Sequence, residues 1–405
     1  MNQTRINPFI LVLCGGLIMG LSLGIRHVQG LFLLPMTMDR GWTREEFAFA
    51  FAVQNLLWGL AQPVAGMIAD RLGSMRVLLA GCLVYGIGLY GMAHAPGSAG
   101  LTFWGGIVIG TGLAATTFGI VYGALSRLVP LERRGWALGL AGAIGGLGQF
   151  AMVPGAHALL DGFGWQSALL VMAAMVALAA PLALALALAD KPAGSSGFPL
   201  AGGGQTLGAA LREAFAHRGF FLLSIGFSAC GFQLAFIAGH LPAYLADQGL
   251  NARSAVIALA LIALANIAGT FLFGWWGGFH RRKNLLAWLY LARAALTAAF
   301  LLLPISELTL YVFAFGMGFL WLGTVPLTNG LISQIFGVQY ISTLFGFVFV
   351  GHQLGGFLGV WLGGRVYDLT GSYDLLWIGS VVIGLLAAAL HWPIDDRQLA
   401  RLQAA

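Results

Sequence analysis

"DKPAGSSGFPLAGGGQTLGAALREAFAHRGF", residues 190–220, is the long Gly-, Ser- and Pro-rich stretch that divides this chain, and it reads as a linker ending in a short amphipathic helix. Outward from it on both sides, the sequence is a series of apolar runs separated by short polar turns. Each run is about 20 residues or more, the length that crosses a hydrocarbon core of about 30 Å. Before the linker they fall near 8–38, 45–69, 76–94, 101–128, 135–160 and 165–189. After it they fall near 219–247, 253–278, 285–303, 307–336, 341–367 and 373–392. Six spans precede the linker and six follow.

Composition agrees. Of 405 residues 59% are hydrophobic and 8% charged, with a mean hydropathy of +0.87, against roughly 25% charged residues in a soluble domain. The expected fold class is an all-α membrane protein with twelve transmembrane helices in two pseudo-symmetric six-helix bundles. The expected domains are an N-terminal bundle over 1–190, a cytoplasmic linker over 191–218 and a C-terminal bundle over 219–405. The first span is too long for a cleaved signal peptide and has no small-residue cleavage site, so it should remain. Cys14, Cys82 and Cys230 fall in three different spans without metal-type spacing and read as small packing residues.

Placing both termini inside puts fourteen of the twenty Lys and Arg residues on the cytoplasmic side, from Arg5, Arg71 and Arg76 to Arg397 and Arg401. Only Arg40, Arg44, Arg253 and Arg365 then lie outside, as the positive-inside rule requires. The net charge of +6 is therefore a topology signal and calls for no nucleic acid. The setting expected is the cytoplasmic membrane of a bacterium, multi-pass, with lipid as the surrounding partner and the protein acting as a monomer.

The halves repeat at an offset of about 207 residues, as a duplicated bundle does. Pro35 pairs with Pro242, Gly41 with Gly249, Gly66 with Gly274 and Asp161 with Asp368. "GMIADRLGSMRVL", residues 66–78, carries Gly66, Asp70, Arg71, Gly73 and Arg76 in the pattern G-x-x-x-D-R-x-G-x-x-R. Asp70 at a helix end can accept hydrogen bonds from the amides opening the next helix, the glycines allow close approach and a tight turn, and the arginines face an anionic leaflet. With this motif the sequence resembles the major facilitator superfamily of secondary transporters. The resemblance implies that this loop latches the two halves in one conformation. It also implies that spans 1, 4, 7 and 10 line a central path while spans 3, 6, 9 and 12 lie outside. The second copy, "GWWGGFHRRKNL" (274–285), keeps the basic cluster but has Gly278 where the acid would sit. "LLPMTMDRGWTREEFAFA", residues 33–50, is similar to the segment opening the second helix in the oxalate/formate antiporter and monocarboxylate transporter families.

All fourteen acidic residues fall at span ends or in loops. A mid-membrane charge costs on the order of 3 kcal/mol even on the lenient insertion scale, so the ones that remain there carry information. They are Arg26, His27, His240, Arg293 and His352, neutral or positive throughout, so the path should attract anions. Arg26 leads as the ligand of a substrate carboxylate, whose planar oxygens match a guanidinium. Gln29 follows one turn on, and the repeat partner of Arg26 is Gln233, expected to turn toward water as well. His352 replaces a glycine of the first half and, with Gln353, is a second substrate candidate. His352, His27 and His240 are the candidates for a proton that no carboxylate is there to carry. Tyr122, Trp321 and Asn329 are the uncharged candidates on spans 4 and 10. Arg293, on an outer span, is expected to snorkel to the headgroups as a structural residue.

The reading is a secondary active transporter of a small organic anion, with monocarboxylates foremost, moving it with a proton or against a counter-anion by alternating access. The alternative is an exporter of drugs or hydrophobic compounds, which the many aromatics favour and the absence of a buried acid disfavours. No nucleophile and base at motif spacing indicates an enzyme, and no cofactor or metal site is expected.

Overall fold

The computed structural model describes residues 8–190 and 205–403, and its regular structure there is helical throughout. Eleven apolar stretches are long enough to span a bilayer, and one of them, Glu132–Ala187, runs for 56 residues. That one is two helices: Gly164 sits at φ 76°, ψ 168°, a conformation glycine alone takes cheaply, and breaks the ladder. The spans are therefore α1 (Pro8–Phe32), α2 (Arg44–Leu72), α3 (Ser74–Ala93) and α4 (Ser98–Leu128). Then α5 and α6 share Leu131–Ala179 on either side of Gly164. The second set is α7 (Arg218–Asp247), α8 (Ala252–Trp276), α9 (Arg282–Leu302), α10 (Glu307–Phe336), α11 (Ile341–Thr370) and α12 (Asp374–His391). The short helix expected before α7 is Leu207–Ala216, while most of the linker lies outside the described residues.

Helix starts follow local chemistry. Thr43 and Glu46 form a capping box that satisfies the first amides of α2, and Asn251 accepts from Ser254 N to open α8. Ser306 caps α10 in the same way, through Thr309.

Packing relies on glycine, because apolar side chains gain nothing from leaving lipid and association rests on close backbone contact. A Cβ on Gly148 of α5 would lie 2.2 Å from Gly20 O of α1, and one on Gly355 of α11 would lie 2.0 Å from Ser228 O of α7. These two crossings are repeat equivalents, one within each bundle. Between bundles, α5 meets α8 where a Cβ on Gly274 would sit 2.6 Å from Gly139 Cα, and α2 meets α11 where Gly346 backs onto Pro63. Both contacts lie toward the end bearing the 66–76 and 281–283 basic loops, called the basic face below.

Two spans are discontinuous. α4 breaks at Thr117 (φ −115°, ψ −155°), and α10 breaks between Phe319 and Thr324. At the repeat offset of about 207 residues, Thr117 and Thr324 correspond.

Candidate functional site

Arg26 lies in the last turn of the α-helical part of α1, where a cation favours the helix dipole. It is half-buried. Nη2 donates to Asn55 Oδ1 of α2 at 2.9 Å, while Nε is buried with no partner. Tyr85 lies close to the guanidinium, and its hydroxyl donates to Ser22 O. The cation thus has one neutral amide and spare donors, with no carboxylate opposite among the described residues.

One turn along the same face of α2, Trp58 donates Nε1 to Thr117 Oγ1 at the break in α4 (3.0 Å) and packs edge-on against Phe349 of α11 (5.2 Å). Phe349 in turn stacks on His352, with ring centroids 5.0 Å apart and planes 10° from parallel. Arg26 and His352 are therefore not in contact. They face one mid-membrane seam from opposite bundles, with Trp58 and Phe349 between them. His352 Nδ1 lies 3.2 Å from Gln353 Oε1, which accepts when Nδ1 carries a hydrogen. Nε2 and Gln353 Nε2 are buried without partners.

At the basic face, Asp70 is the centre of a network. Its fully buried carboxylate accepts from Arg127 Nη1 of α4 at 2.6 Å, and from Thr343 N (2.9 Å) and Thr343 Oγ1 (2.8 Å) of α11. Arg127 also donates to Ser74 Oγ and Ser342 Oγ. The expected amide donors to Asp70 were those of the next helix; the donor observed is the N-terminus of α11, in the other bundle. The second basic loop finds its acid elsewhere too. Arg281 pairs with Asp396, beyond α12, at 2.6 Å, and the guanidinium holds the Asp396 carboxyl below its ordinary range.

A sequence profile of the Major Facilitator Superfamily matches residues 12–360. The chain belongs to the major facilitator superfamily. Monocarboxylate transporter 11 of Mus musculus is 27% identical over 383 residues, 88% of this chain and 80% of that one. The MFS-type transporter YcxA of Bacillus subtilis is 23% identical over 414 residues, 98% of this chain and 97% of that one. Among solved structures, the E. coli fucose:proton symporter FucP superposes with a TM-score of 0.69 at 17% identity, covering 96% of this chain and 98% of that one. At that identity the likeness shows the fold alone; it is the superfamily profile that makes the chain a multi-pass membrane transporter and not an enzyme.

Within the superfamily fold, the remaining sequence candidates scatter. Gln29 is buried in a 3-10 turn ending α1, both side-chain polar atoms unpartnered. His27 turns toward Leu259 of α8, across the seam. Tyr122 points at Gly142 of α5 beside Thr270 of α8, its hydroxyl unpartnered. Asn329 accepts from Ser126 Oγ of α4 at 3.4 Å, a contact between bundles. His240 donates Nε2 to Val360 O (2.8 Å), and its Nδ1 lies 3.4 Å from the Tyr373 hydroxyl, a satisfied packing position. Gln233 corrects an expectation: it is fully buried and donates to Ser380 O of α12, away from the seam, because α12 closes over that face of α7. Arg71 and Arg76 are exposed at the basic face; a Cβ on Gly66 would lie 2.6 Å from Ser342 O, and Gly73 turns α2 into α3 at φ 104°, a conformation that favours glycine.

Arg293 corrects another. It is fully buried rather than snorkelling: Nε and Nη2 donate to Leu320 O (3.0 and 2.5 Å), and Nη2 also reaches Trp321 O. These carbonyls are freed by the break in α10, where no water is at hand to satisfy them. Trp321 is thus part of the break. Asn266 Oδ1 accepts from Leu322 N at the same place, and Asn266 Nδ2 donates to Gln149 of α5. The sequence reading passed over Arg127, Trp58 and this break. Gly323 and Pro326 flank the α10 break, and the repeat maps it onto Thr117, which is the signal that was there to read.

Proposed function

We propose that the chain is a secondary active transporter of a small organic anion, monocarboxylates foremost, coupled to protons or to exchange of another anion and working by alternating access. We place it in the cytoplasmic membrane of a bacterium, both termini cytoplasmic, acting as a monomer. The observation that carries this reading is Arg26: a half-buried cation at the seam between bundles, bonded to a neutral amide, with a buried unpartnered donor. A substrate carboxylate would supply its missing counter-charge, with Asn55 and Tyr85 holding the guanidinium in place and Trp58 and Phe349 offering an apolar wall to a short alkyl chain. The relatives named as monocarboxylate transporters support the same substrate class.

In the cycle so envisaged, the Asp70–Thr343 bonds and the α5–α8 and α2–α11 glycine contacts hold the cytoplasmic side shut, and substrate reaches Arg26 from outside. Their release opens the opposite route. The test is thermal stabilisation of the purified protein by pyruvate, lactate and oxalate, beside a panel of cationic drugs, for the wild type and Arg26→Gln. A ligand that binds the folded state raises the melting temperature, by about 2.7 kcal/mol of added stability at a hundredfold excess over Kd. A shift with a carboxylate that vanishes in Arg26→Gln is expected. Stabilisation by cations, or by carboxylates equally in both proteins, overturns the reading in favour of an exporter.

A further inference from the structure

The two helix breaks, at Thr117 in α4 and between Phe319 and Thr324 in α10, are repeat equivalents that the two halves finish differently. At α10, side chains satisfy what the break frees. Arg293 takes the Leu320 and Trp321 carbonyls, Asn266 Oδ1 accepts from Leu322 N at 3.1 Å, and Cys230 Sγ meets Thr324 Oγ1 at 3.3 Å. At α4 the carbonyl side is answered too, since the hydroxyls of Thr116 and Thr117 donate to Gly112 O and Leu113 O. The amide side is left open.

The inner part of α4, Phe118–Leu128, is a helix of 11 residues whose N-terminus lies at the break, inside the membrane. Of its opening amides, Ile120 N and Val121 N both bond Thr117 O at 3.2 Å, which leaves those of Phe118 and Gly119. Thr117, at the capping position, does not cover them: its hydroxyl serves Leu113 O at 2.7 Å and Trp58 Nε1 at 3.0 Å. Facing this first turn is Gln62 of α2. It is fully buried, and neither Oε1 nor Nε2 has a hydrogen-bond partner. A Cβ on Gly119 would strike Gln62 Nε2 and would lie 3.0 Å from Gln62 Cδ and 3.5 Å from Phe345 Cδ1 of α11. A buried amide without partners is costly. This one sits beside two backbone N–H groups and the positive end of a helix dipole, the arrangement that binds anions.

Building on the proposed anion transport, we propose that Gln62 and the amides of Phe118 and Gly119 form a second anion station, nearer the basic face than Arg26. It takes a singly charged anion, either the substrate carboxylate or an inorganic ion such as chloride. Gln62 follows Asn55, the partner of Arg26, by seven residues on the same helix, about 10.5 Å along its axis. A small carboxylate held at one station cannot touch the other, so the two act in succession. The donors at the second are neutral, so it holds its anion less firmly than a guanidinium does. Phe345 covers it while Thr343, two residues earlier in α11, is bonded to Asp70. Release of those bonds lets α11 withdraw and opens the station to the cytoplasmic route. Arg26→Gln by itself still tests the first site, because the second is covered in the latched protein.

Two measurements on the full chain test this. The first needs no ligand. Gln62→Leu replaces an unpartnered buried amide with an apolar side chain of similar size, so it should melt at or above the wild type. A melting temperature several degrees lower means that the amide is a structural cap, and overturns the proposal. The second uses the Arg26→Gln, Asp70→Asn protein, in which the first site lacks its cation and the basic face is loosened. Hydrogen–deuterium exchange over residues 116–121 is followed with sodium pyruvate and, separately, sodium chloride. The bound anion should slow exchange there by about tenfold at a tenfold excess over Kd, and adding Gln62→Leu should abolish the effect. Slowing by pyruvate assigns the station to the substrate; slowing by chloride alone assigns it to an inorganic anion. No slowing by either, or slowing that survives Gln62→Leu, overturns the proposal. Should carboxylates fail to stabilise the wild type through Arg26, the transport reading fails, while the chloride arm still decides the second station.

Discussion

Replacing Asp70 with Asn tests whether the 66–76 loop holds the bundles together at the basic face. Asp70 makes one bond within its own bundle, to Arg127, and two across to Thr343, at 2.9 Å to the amide and 2.8 Å to the hydroxyl. Only the latter two break when the bundles separate. A hydrogen bond to a charged group contributes about 1.5–3 kcal/mol and one between neutral groups about 0.5–1.5. Asn keeps the shape and loses the charge, along with the favourable interaction of a carboxylate with the α11 N-terminus. The loss is about 1 kcal/mol per bond, or about 2 kcal/mol in all, which multiplies the ratio of open to closed basic face by roughly thirty at 1.4 kcal/mol per decade. Hydrogen–deuterium exchange reads this directly, since Thr343 N–H is itself one of the bonds. In Asp70→Asn, exchange at the start of α11 and the end of α2 should accelerate by about that ratio, with the middle of α7 unchanged. Thr343→Val, which removes the hydroxyl bond alone, a bond to a charged group of about 1.5–3 kcal/mol, should give a change of roughly tenfold or more. Wild-type exchange at the start of α11 in Asp70→Asn would refute the assignment of the loop as a latch between bundles.

Glycine contacts separate fold from conformation. Gly148→Ala drives a methyl into Gly20 of the same bundle and should abolish detergent-stable protein, whereas Gly274→Ala pushes α8 off α5 of the other bundle and should keep the melting temperature near wild type while loosening the basic face in the exchange assay. Arg293→Met strands the Leu320 and Trp321 carbonyls and should lower stability by roughly 3 kcal/mol, read as a fall in melting temperature. Asp396 is depressed by Arg281, so its contribution is present above the unfolded carboxyl value of about 3.9 and lost as pH falls through the lower folded value. Asp396→Asn should therefore melt below wild type at pH 7 and converge with it in acid, once the pH is below the depressed folded value.

The spans were legible because hydropathy is a property of each segment alone, and the break between α5 and α6 falls where the runs 135–160 and 165–189 leave a gap, at Gly164. Arg26 was legible because a mid-span cation is costly wherever it points. Direction was not legible. Arg293 is about as far from its helix end as a snorkelling arginine would be, yet it turns inward, because the carbonyls that need it belong to a break in a helix 27 residues on. Gln233 reads as polar on an inner helix, but which face of α7 it occupies is set by α12, whose Ser380 is 147 residues away. Asp70 announced a latch, and its partner Thr343 is 273 residues distant, so the local motif carries no trace of it.

The two mid-span arginines show that the repeat in sequence is not a repeat in chemistry. Arg293 is sealed and saturated on one side by carbonyls at the C-terminal end of the first part of α10, where the helix dipole is negative and a cation belongs. Arg26 has one amide and open donors at the seam. The first holds a broken helix, and the second is the proposed ligand site. Asn266 joins these regions: it accepts from Leu322 N within its own bundle and donates to Gln149 of the other. In the proposed cycle, parting of the bundles breaks the Gln149 bond and keeps the Leu322 bond, so the α10 break stays with α8. Cys230, bonded to Thr324 at that break, moves with it. The α10 break and the proposed anion site at Arg26 thus lie in opposite bundles.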